Sequence, residues 1–275
     1  MISSRPKWIN AGSVRVRYYD EGEGEAVLLL HGLGGFAEHW MKNIGPFSSH
    51  FRVIAPDIVG FGFTDKPQVE YTLGYFAAFV KTLVDALALD RLAIVGASLG
   101  GGIAIQHCLL YPERVRKLVL VGSTGLARRT GRFFRKLLLP IAEALSVRPN
   151  RWMLTLAYRQ VVHRYGPDYG GLIDLHYDIS RLANTQRVFY QVSRRLVDLI
   201  GFRRGFLLSD RLGEIELPTL LIIGQKDRVI PLSHSTLGQK LLPEATLARL
   251  EECAHMPYFE RPREFNRLVI DFLRD

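Results

Sequence analysis

Residues 92–110 read Leu92-Ala93-Ile94-Val95-Gly96-Ala97-Ser98-Leu99-Gly100-Gly101-Gly102-Ile103-Ala104-Ile105-Gln106-His107-Cys108-Leu109-Leu110. A continuous apolar run leads into a serine with glycine two positions away on either side, and a helix-like stretch follows. The segment predicts strand, sharp turn and helix. A serine at the apex of such a turn is held in a strained backbone conformation, and only small residues at the flanking positions let strand and helix pass closely. Gly96 and Gly100 meet that requirement. The hydroxyl then projects beyond the carboxyl end of the strand, with the Leu99 amide and the positive end of the helix beside it. Both suit an attacking oxygen and a developing oxyanion. Ser98 is therefore a candidate nucleophile. With 25 Gly and 13 Ser in the chain, the spacing alone arises by chance about 0.1 times. The bland alternative, an ordinary loop serine between glycines, has to be weighed against what else falls at strand ends.

Working outward, Ala26-Val27-Leu28-Leu29-Leu30 is continuously apolar, as expected of a strand buried on both faces of a mainly parallel sheet. Phe51–Ala55, Lys117–Val121, Leu220–Ile223 and Ala245–Leu250 read as further strands, and the alternation in Val14–Tyr18 before a Gly-rich turn suggests an edge hairpin. Helical spacing of Phe76, Val80, Leu83, Val84 and Leu87 predicts a helix over 72–89 with Thr72 as its cap, and Arg263–Leu273 is similarly amphipathic. The alternation predicts a doubly wound α/β sheet whose reacting groups gather beyond the strands' carboxyl ends. It breaks once, from about Thr124 to Glu214, where only helix-like stretches occur: 132–145, 151–163 and 187–200. The expected organisation is an α/β core formed by residues 1–123 and 215–275, with 124–214 inserted as a helical cap.

Composition permits this: 275 residues with 48% hydrophobic content make a sizeable core without covalent staples. Cys108 and Cys253 lie far apart and show no metal-binding spacing, so neither a disulfide framework nor a metal site is expected. No signal-peptide core or membrane-span run is present, and a soluble, cytoplasmic protein is the expectation. The formal net charge is +9, and the whole excess lies in 124–214, with 16 Lys and Arg against 7 Asp and Glu. No nucleic-acid motif accompanies it, which leaves a solvated, Arg-rich helical surface as the simplest account. The stretch Arg132–Leu139 also resembles a basic interfacial helix suited to an anionic lipid surface.

Three further segments carry chemistry. His31-Gly32-Leu33-Gly34-Gly35 follows the Ala26–Leu30 strand, and its small residues let backbone amides face a site, so Leu33 can supply an oxyanion donor opposite Leu99. His31 is expected to hold this turn by hydrogen bonding rather than to move protons. Asp227, in Gly224-Gln225-Lys226-Asp227, follows a strand, where a carboxylate can orient a histidine and stabilise its cation. The rival position after the preceding strand, Gly122-Ser123-Thr124-Gly125, holds no acid. His255 follows the last strand and is the candidate base; the other histidines lack a comparable strand-end position.

Taken in order, HGLGG at 31–35, GASLG at 96–100, GQKDRVIP at 224–231 and CAHMPYFERP at 253–262 resemble the α/β-hydrolase fold family over essentially the whole chain. The resemblance implies an eight-stranded sheet, a cap, no cofactor and a Ser98-His255-Asp227 triad. Ser98 at the turn argues against members with an aspartate nucleophile. Residues 57–67, DIVGFGFTDKP, look like the corresponding loop of hydrolases that split carbon–carbon bonds in aromatic ring-cleavage products. Those enzymes usually carry Asn before the nucleophile and Trp after the histidine, whereas Ala97 and Met256 stand here. Ester hydrolysis through an acyl-enzyme is therefore the expected function. Carbon–carbon bond hydrolysis, with a cap arginine against a substrate carboxylate, is the alternative, and a slow-turnover ligand receptor is a third. The expected partner is a small ester or related carbonyl compound. Phe133, Phe134, Leu137, Leu138, Trp152, Met153, Tyr158, Phe189 and Tyr190 are candidates to line an apolar pocket or simply to form the helical core.

Overall fold

The computed structural model describes residues 5–131 and 150–275. Eight strands form one sheet: β1 (Lys7–Ala11), β2 (Val14–Glu21), β3 (Ala26–Leu30), β4 (Arg52–Pro56), β5 (Leu92–Ala97), β6 (Val115–Val121), β7 (Thr219–Gly224) and β8 (Ala245–Leu250). Their order is β1-β2-β4-β3-β5-β6-β7-β8, with β2 antiparallel to both neighbours and every later pairing parallel. The continuous apolar runs have a direct cause. Leu28, Leu30, Ile94 and Leu120 belong to the core on one face of the sheet, while Val27, Leu29, Val95 and Val121 belong to the core on the other. Successive side chains alternate faces, and both faces are covered, so polar residues have no place in these strands.

Among the described residues seven helices have ten residues or more: α1 (Leu73–Ala86), α2 (Leu99–Leu110), α3 (Arg151–Val161), α4 (Gly170–Ser180), α5 (Thr185–Leu196), α6 (Leu232–Leu241) and α7 (Pro262–Arg274). Thr72 caps α1 as expected, its hydroxyl accepting from the Tyr75 amide at 3.1 Å. Phe76, Val80 and Leu83 on α1 and Ile103 on α2 bury against the first face; Phe265, Val269 and Leu273 on α7 bury against the second. Each fully buried aliphatic or aromatic side chain contributes roughly 1.5–3 kcal/mol, which is the term that holds the layers together.

Between Val121 and Thr219 the chain leaves the sheet, and the described part of this excursion carries α3, α4 and α5 with only isolated bridges outside them. The expected helix at 132–145, the basic stretch Arg132–Leu139 and Phe133, Phe134, Leu137 and Leu138 lie largely or wholly outside the described residues. Helix α4 is an addition to the sequence reading: its Gly170-Gly171 start resembles a loop, although Leu172, Ile173 and Ile179 carry a helical spacing and are buried. A second correction concerns β2. Arg17 sits at a polar position of the alternating pattern, yet it is 7% exposed. β2 lies between β1 and β4 rather than at the edge, and its far face is covered by loops that provide Arg17 with carboxylate partners.

No described helix is long and apolar enough to cross a membrane. Cys108 and Cys253 are both buried free thiols, and burial pushes Cys108 up to about 12.

Candidate active site

Ser98 stands between β5 and α2 at φ 53 and ψ −116, a conformation disfavoured for a side-chain-bearing residue. Such strain costs on the order of 1–3 kcal/mol and persists only where the surroundings fix it. Here the Ser98 amide donates to Val121 O at 2.9 Å and the Thr124 amide donates to Ser98 O at 3.1 Å, tying the turn to the end of β6. The flanking glycines are sterically required. A Cβ on Gly96 would lie 2.5 Å from Gly100 O, and one on Gly100 would lie 2.3 Å from Leu30 O.

Asp227, just past β7, divides its carboxylate between two tasks. Oδ1 accepts from the amides of Val229 at 2.7 Å and Ile230 at 2.9 Å, while Oδ2 contacts His255 Nδ1 at 2.8 Å. The Asp227 side chain is 1% exposed, and a carboxylate can only accept, so the imidazole carries its proton on Nδ1 and its lone pair on Nε2. The His255 amide donates to Val161 O at 2.9 Å, anchoring the loop to the end of α3. Ser98 and His255 both line one cavity of about 420 Å³. No hydrogen bond joins them among the described residues, and catalytic hydrogen bonds often tighten only with substrate bound.

The loop after β3 lines the same cavity beside the elbow. Gly32 comes so close to Ser98 that a Cβ there would sit 3.1 Å from the serine Cβ. Leu33 lines this cavity, and Leu99, next to Ser98, opens α2, where first-turn amides lack intrahelical acceptors. His31 does what was expected of it. Its Nδ1 donates to Gly32 O at 2.8 Å and its Nε2 accepts from the Ile58 amide at 3.0 Å. Burial pulls His31 down to about 4, so it stays a neutral brace.

Residues that the sequence reading did not single out complete this support. Asp57, immediately after β4, accepts from the amides of Ala37 at 2.7 Å and Phe63 at 2.8 Å and from Arg17 Nη1 at 3.1 Å. Arg17 also pairs with Glu38, and Tyr19 donates to Glu38 at 2.8 Å. Burial raises the Asp57 carboxyl and Arg17 opposes it. For the guanidinium, burial lowers its pKa but the hydrogen bond to Glu38 and the two carboxylate charges outweigh this, leaving Arg17 raised. The only available signal was Asp57 at a strand end; nothing in the alternating pattern marked Arg17 as buried.

The cavity wall is mainly apolar and takes Met153, Leu154, Phe189 and Met256 from the candidates and their neighbours. Trp152 is 69% exposed and faces away, and Tyr190 lines a separate groove. His39 and His176, dismissed in sequence because neither follows a strand, also line the cavity, together with Tyr158.

A strained serine between strand and helix, an Asp–His pair at adjacent strand ends and a glycine loop facing both define an α/β hydrolase by geometry. Comparison with known proteins agrees: a profile of the alpha/beta hydrolase fold matches residues 25–155. A 2-hydroxy-6-oxo-6-phenylhexa-2,4-dienoate hydrolase of Burkholderia cepacia is 34% identical over 269 residues, covering 94% of this chain and 91% of the relative. The solved structure of a meta-cleavage product hydrolase from Pseudomonas fluorescens superposes with a TM-score of 0.84 at 30% identity, covering 98% of this chain and 97% of that one. A bacterial membrane phospholipase A superposes with a TM-score of 0.83 at 27% identity, covering 98% and 86%. The chain belongs to the α/β-hydrolase fold family.

Proposed function

We propose that the chain is a serine hydrolase that cleaves the carbon–carbon bond of a vinylogous 1,5-diketone through an acyl-enzyme on Ser98. The observation that carries the bond assignment is likeness over nearly the full chain to hydrolases named for such substrates, where ester hydrolysis was the sequence-based expectation. The 57–67 loop supports the same substrate class.

In this mechanism His255 Nε2 takes the Ser98 proton as Oγ attacks the ketone carbon. The Leu33 and Leu99 amides hold the resulting oxyanion, and Asp227 stabilises the imidazolium. Collapse breaks the carbon–carbon bond; its electron pair leaves with the dienolate fragment, which takes the proton from His255. Water, deprotonated by the same nitrogen, then releases the acid and regenerates Ser98. Helices α3, α4 and α5, the described helices of the inserted segment, serve as a cap over the substrate cavity.

The test is turnover of 2-hydroxy-6-oxo-6-phenylhexa-2,4-dienoate, followed by loss of its dienolate absorbance, in parallel with p-nitrophenyl esters. Cleavage of the dienoate that Ser98→Ala abolishes supports the proposal. Ester turnover without dienoate cleavage overturns it in favour of carboxylic ester hydrolysis. Two observations favour that second function: Ala97 and Met256 replace the Asn and Trp usual in the carbon–carbon hydrolases, and no Lys or Arg lines the cavity among the described residues.

A further inference from the structure

Three polar side chains outside the triad form a hydrogen-bonded chain on the cavity wall. His39 Nε2 lies 3.0 Å from Tyr158 Oη, which lies 3.4 Å from His176 Nδ1. They come from three elements: the short turn Ala37–Trp40 after the glycine loop, α3 and α4. Phe36 packs against both imidazoles, with ring centroids 4.5 Å and 5.7 Å away, so the rings are fixed by packing as well as by hydrogen bonds. Two further wall hydroxyls are occupied: Ser180 donates to Tyr177 O at 2.6 Å and Thr185 to Ile179 O at 3.1 Å.

All three groups are neutral near neutral pH. Burial pulls His176 down to about 4, holds His39 well below the usual histidine value, and raises the Tyr158 phenol. Proton counting then fixes what the chain offers. A neutral imidazole has one N–H and one lone pair, and the phenol has one proton to give. If Tyr158 donates to His39 Nε2, then His39 presents Nδ1–H, and His176, which must donate to Tyr158 from Nδ1, presents a lone pair at Nε2. If Tyr158 donates the other way, the two roles exchange. Either tautomer leaves one donor and one acceptor. Among the described residues neither His39 Nδ1 nor His176 Nε2 has a hydrogen-bond partner or is sealed from the surface, and both residues line the cavity.

We propose that His39, Tyr158 and His176 form a recognition subsite for an uncharged substrate group that both donates and accepts a hydrogen bond, such as an enol or alcohol hydroxyl or a primary amide, and that it discriminates against a free carboxylate. The subsite rests on this cavity being the substrate site, as the proposed function has it. A carboxylate accepts only, so one imidazole lone pair would oppose it, and no Lys or Arg on the described wall compensates its desolvation. The substrate then differs from a dienoate anchored by an arginine in being neutral where it meets these rings.

The test measures binding by calorimetry at about pH 7.5 to Ser98→Ala, which cannot add to a ketone, so that turnover does not enter. The matched probes are 5-oxo-5-phenylpentanoate and its primary amide, with acetophenone reporting the apolar part of the cavity. The amide is expected to bind about tenfold tighter than the carboxylate. Adding Tyr158→Phe, which breaks the relay but keeps the ring, should bring the ratio close to one, and His176→Arg should invert it. The ratio in the parent protein stands as a test even if either variant fails to fold. Carboxylate binding as tight as that of the amide overturns the subsite, as does failure of all three probes to bind. Failure of the carbon–carbon chemistry is read separately, as absent dienoate turnover by the wild-type protein with the binding ratio intact.

Discussion

Asp227→Asn should silence Ser98 without unfolding the protein. The carboxylate has two amide donors at Oδ1, from Val229 and Ile230, and the imidazole at Oδ2. An asparagine has one carbonyl oxygen and one NH₂ to place in these two positions. With its oxygen toward the two amides, both keep an acceptor and the NH₂ faces His255 Nδ1. The flipped amide would set its NH₂ against two N–H donors at 2.7–2.9 Å, losing two hydrogen bonds to keep one. The first orientation wins, and it forces His255 to accept at Nδ1 and carry its proton on Nε2, where the base must be free. The wrong tautomer should lower kcat by about 10⁴-fold, equivalent to about 5 kcal/mol of barrier. Turnover of p-nitrophenyl acetate and the rate of fluorophosphonate labelling measure the loss, nitrogen-15 NMR reads the His255 tautomer, and thermal melting checks the fold. Activity within tenfold of wild type, or a histidine still protonated at Nδ1, would refute the tautomer argument.

Other outcomes follow from the supporting structure. Gly100→Ala places a Cβ 2.3 Å from Leu30 O, and should cost about 1–3 kcal/mol as β3 and the glycine loop shift, with turnover lost alongside; unchanged urea stability would count against the close packing of the turn. Arg17→Met leaves Glu38 and Asp57 buried together without a counter-charge and should cost about 3–5 kcal/mol; a loss below about 1 kcal/mol in urea unfolding would show that the cluster relaxes or neutralises freely. His31 and His176 stay neutral when folded, with values near 4, whereas the unfolded chain takes up protons below about 6.5. The unfolded state therefore binds more protons across that window, so stability is full above about pH 6.5 and falls as the pH drops toward about 4, by roughly 2 kcal/mol for each ring at pH 5. Equal urea midpoints at about pH 7.5 and pH 5 would contradict the buried neutral imidazoles.

The positions of the proposed triad were legible because each member follows a strand whose pattern is unmistakable. Ser98, Asp227 and His255 come directly after or shortly after β5, β7 and β8, and a continuous apolar run followed by a polar turn marks such a place without any knowledge of tertiary structure. The glycines beside Ser98 were legible for the same reason, since their steric role is set by the local turn. Arg17, Glu38 and Asp57 were not. Their burial depends on β2 being second in the sheet and on two loops closing over it, which is a property of strand order and not of local pattern. Helix α4 was hidden by its paired glycines, and its burial comes from α3 and the core beneath it.

The charge of the inserted segment shows why its chemistry was the hardest to read. The excess of nine positive charges falls in 124–214, which invites an arginine in the substrate cavity. Along α5, however, Arg187 and Arg194 are exposed while Val188, Val192 and Leu196 are buried, so one helix carries charge outward and an apolar face inward. Arg195 pairs with Glu70 and Arg187 donates to Lys66 O on the outer side. The described cavity wall instead carries, among its polar groups, His39, Tyr158 and His176, three residues that share no motif and meet only because α3 and α4 fold over the glycine loop. The charge on α5 therefore faces water, whereas substrate selection depends on the neutral donor and acceptor held inside. Altering the exposed arginines should change salt dependence more than the choice between amide and carboxylate, and the His176→Arg variant should do the reverse.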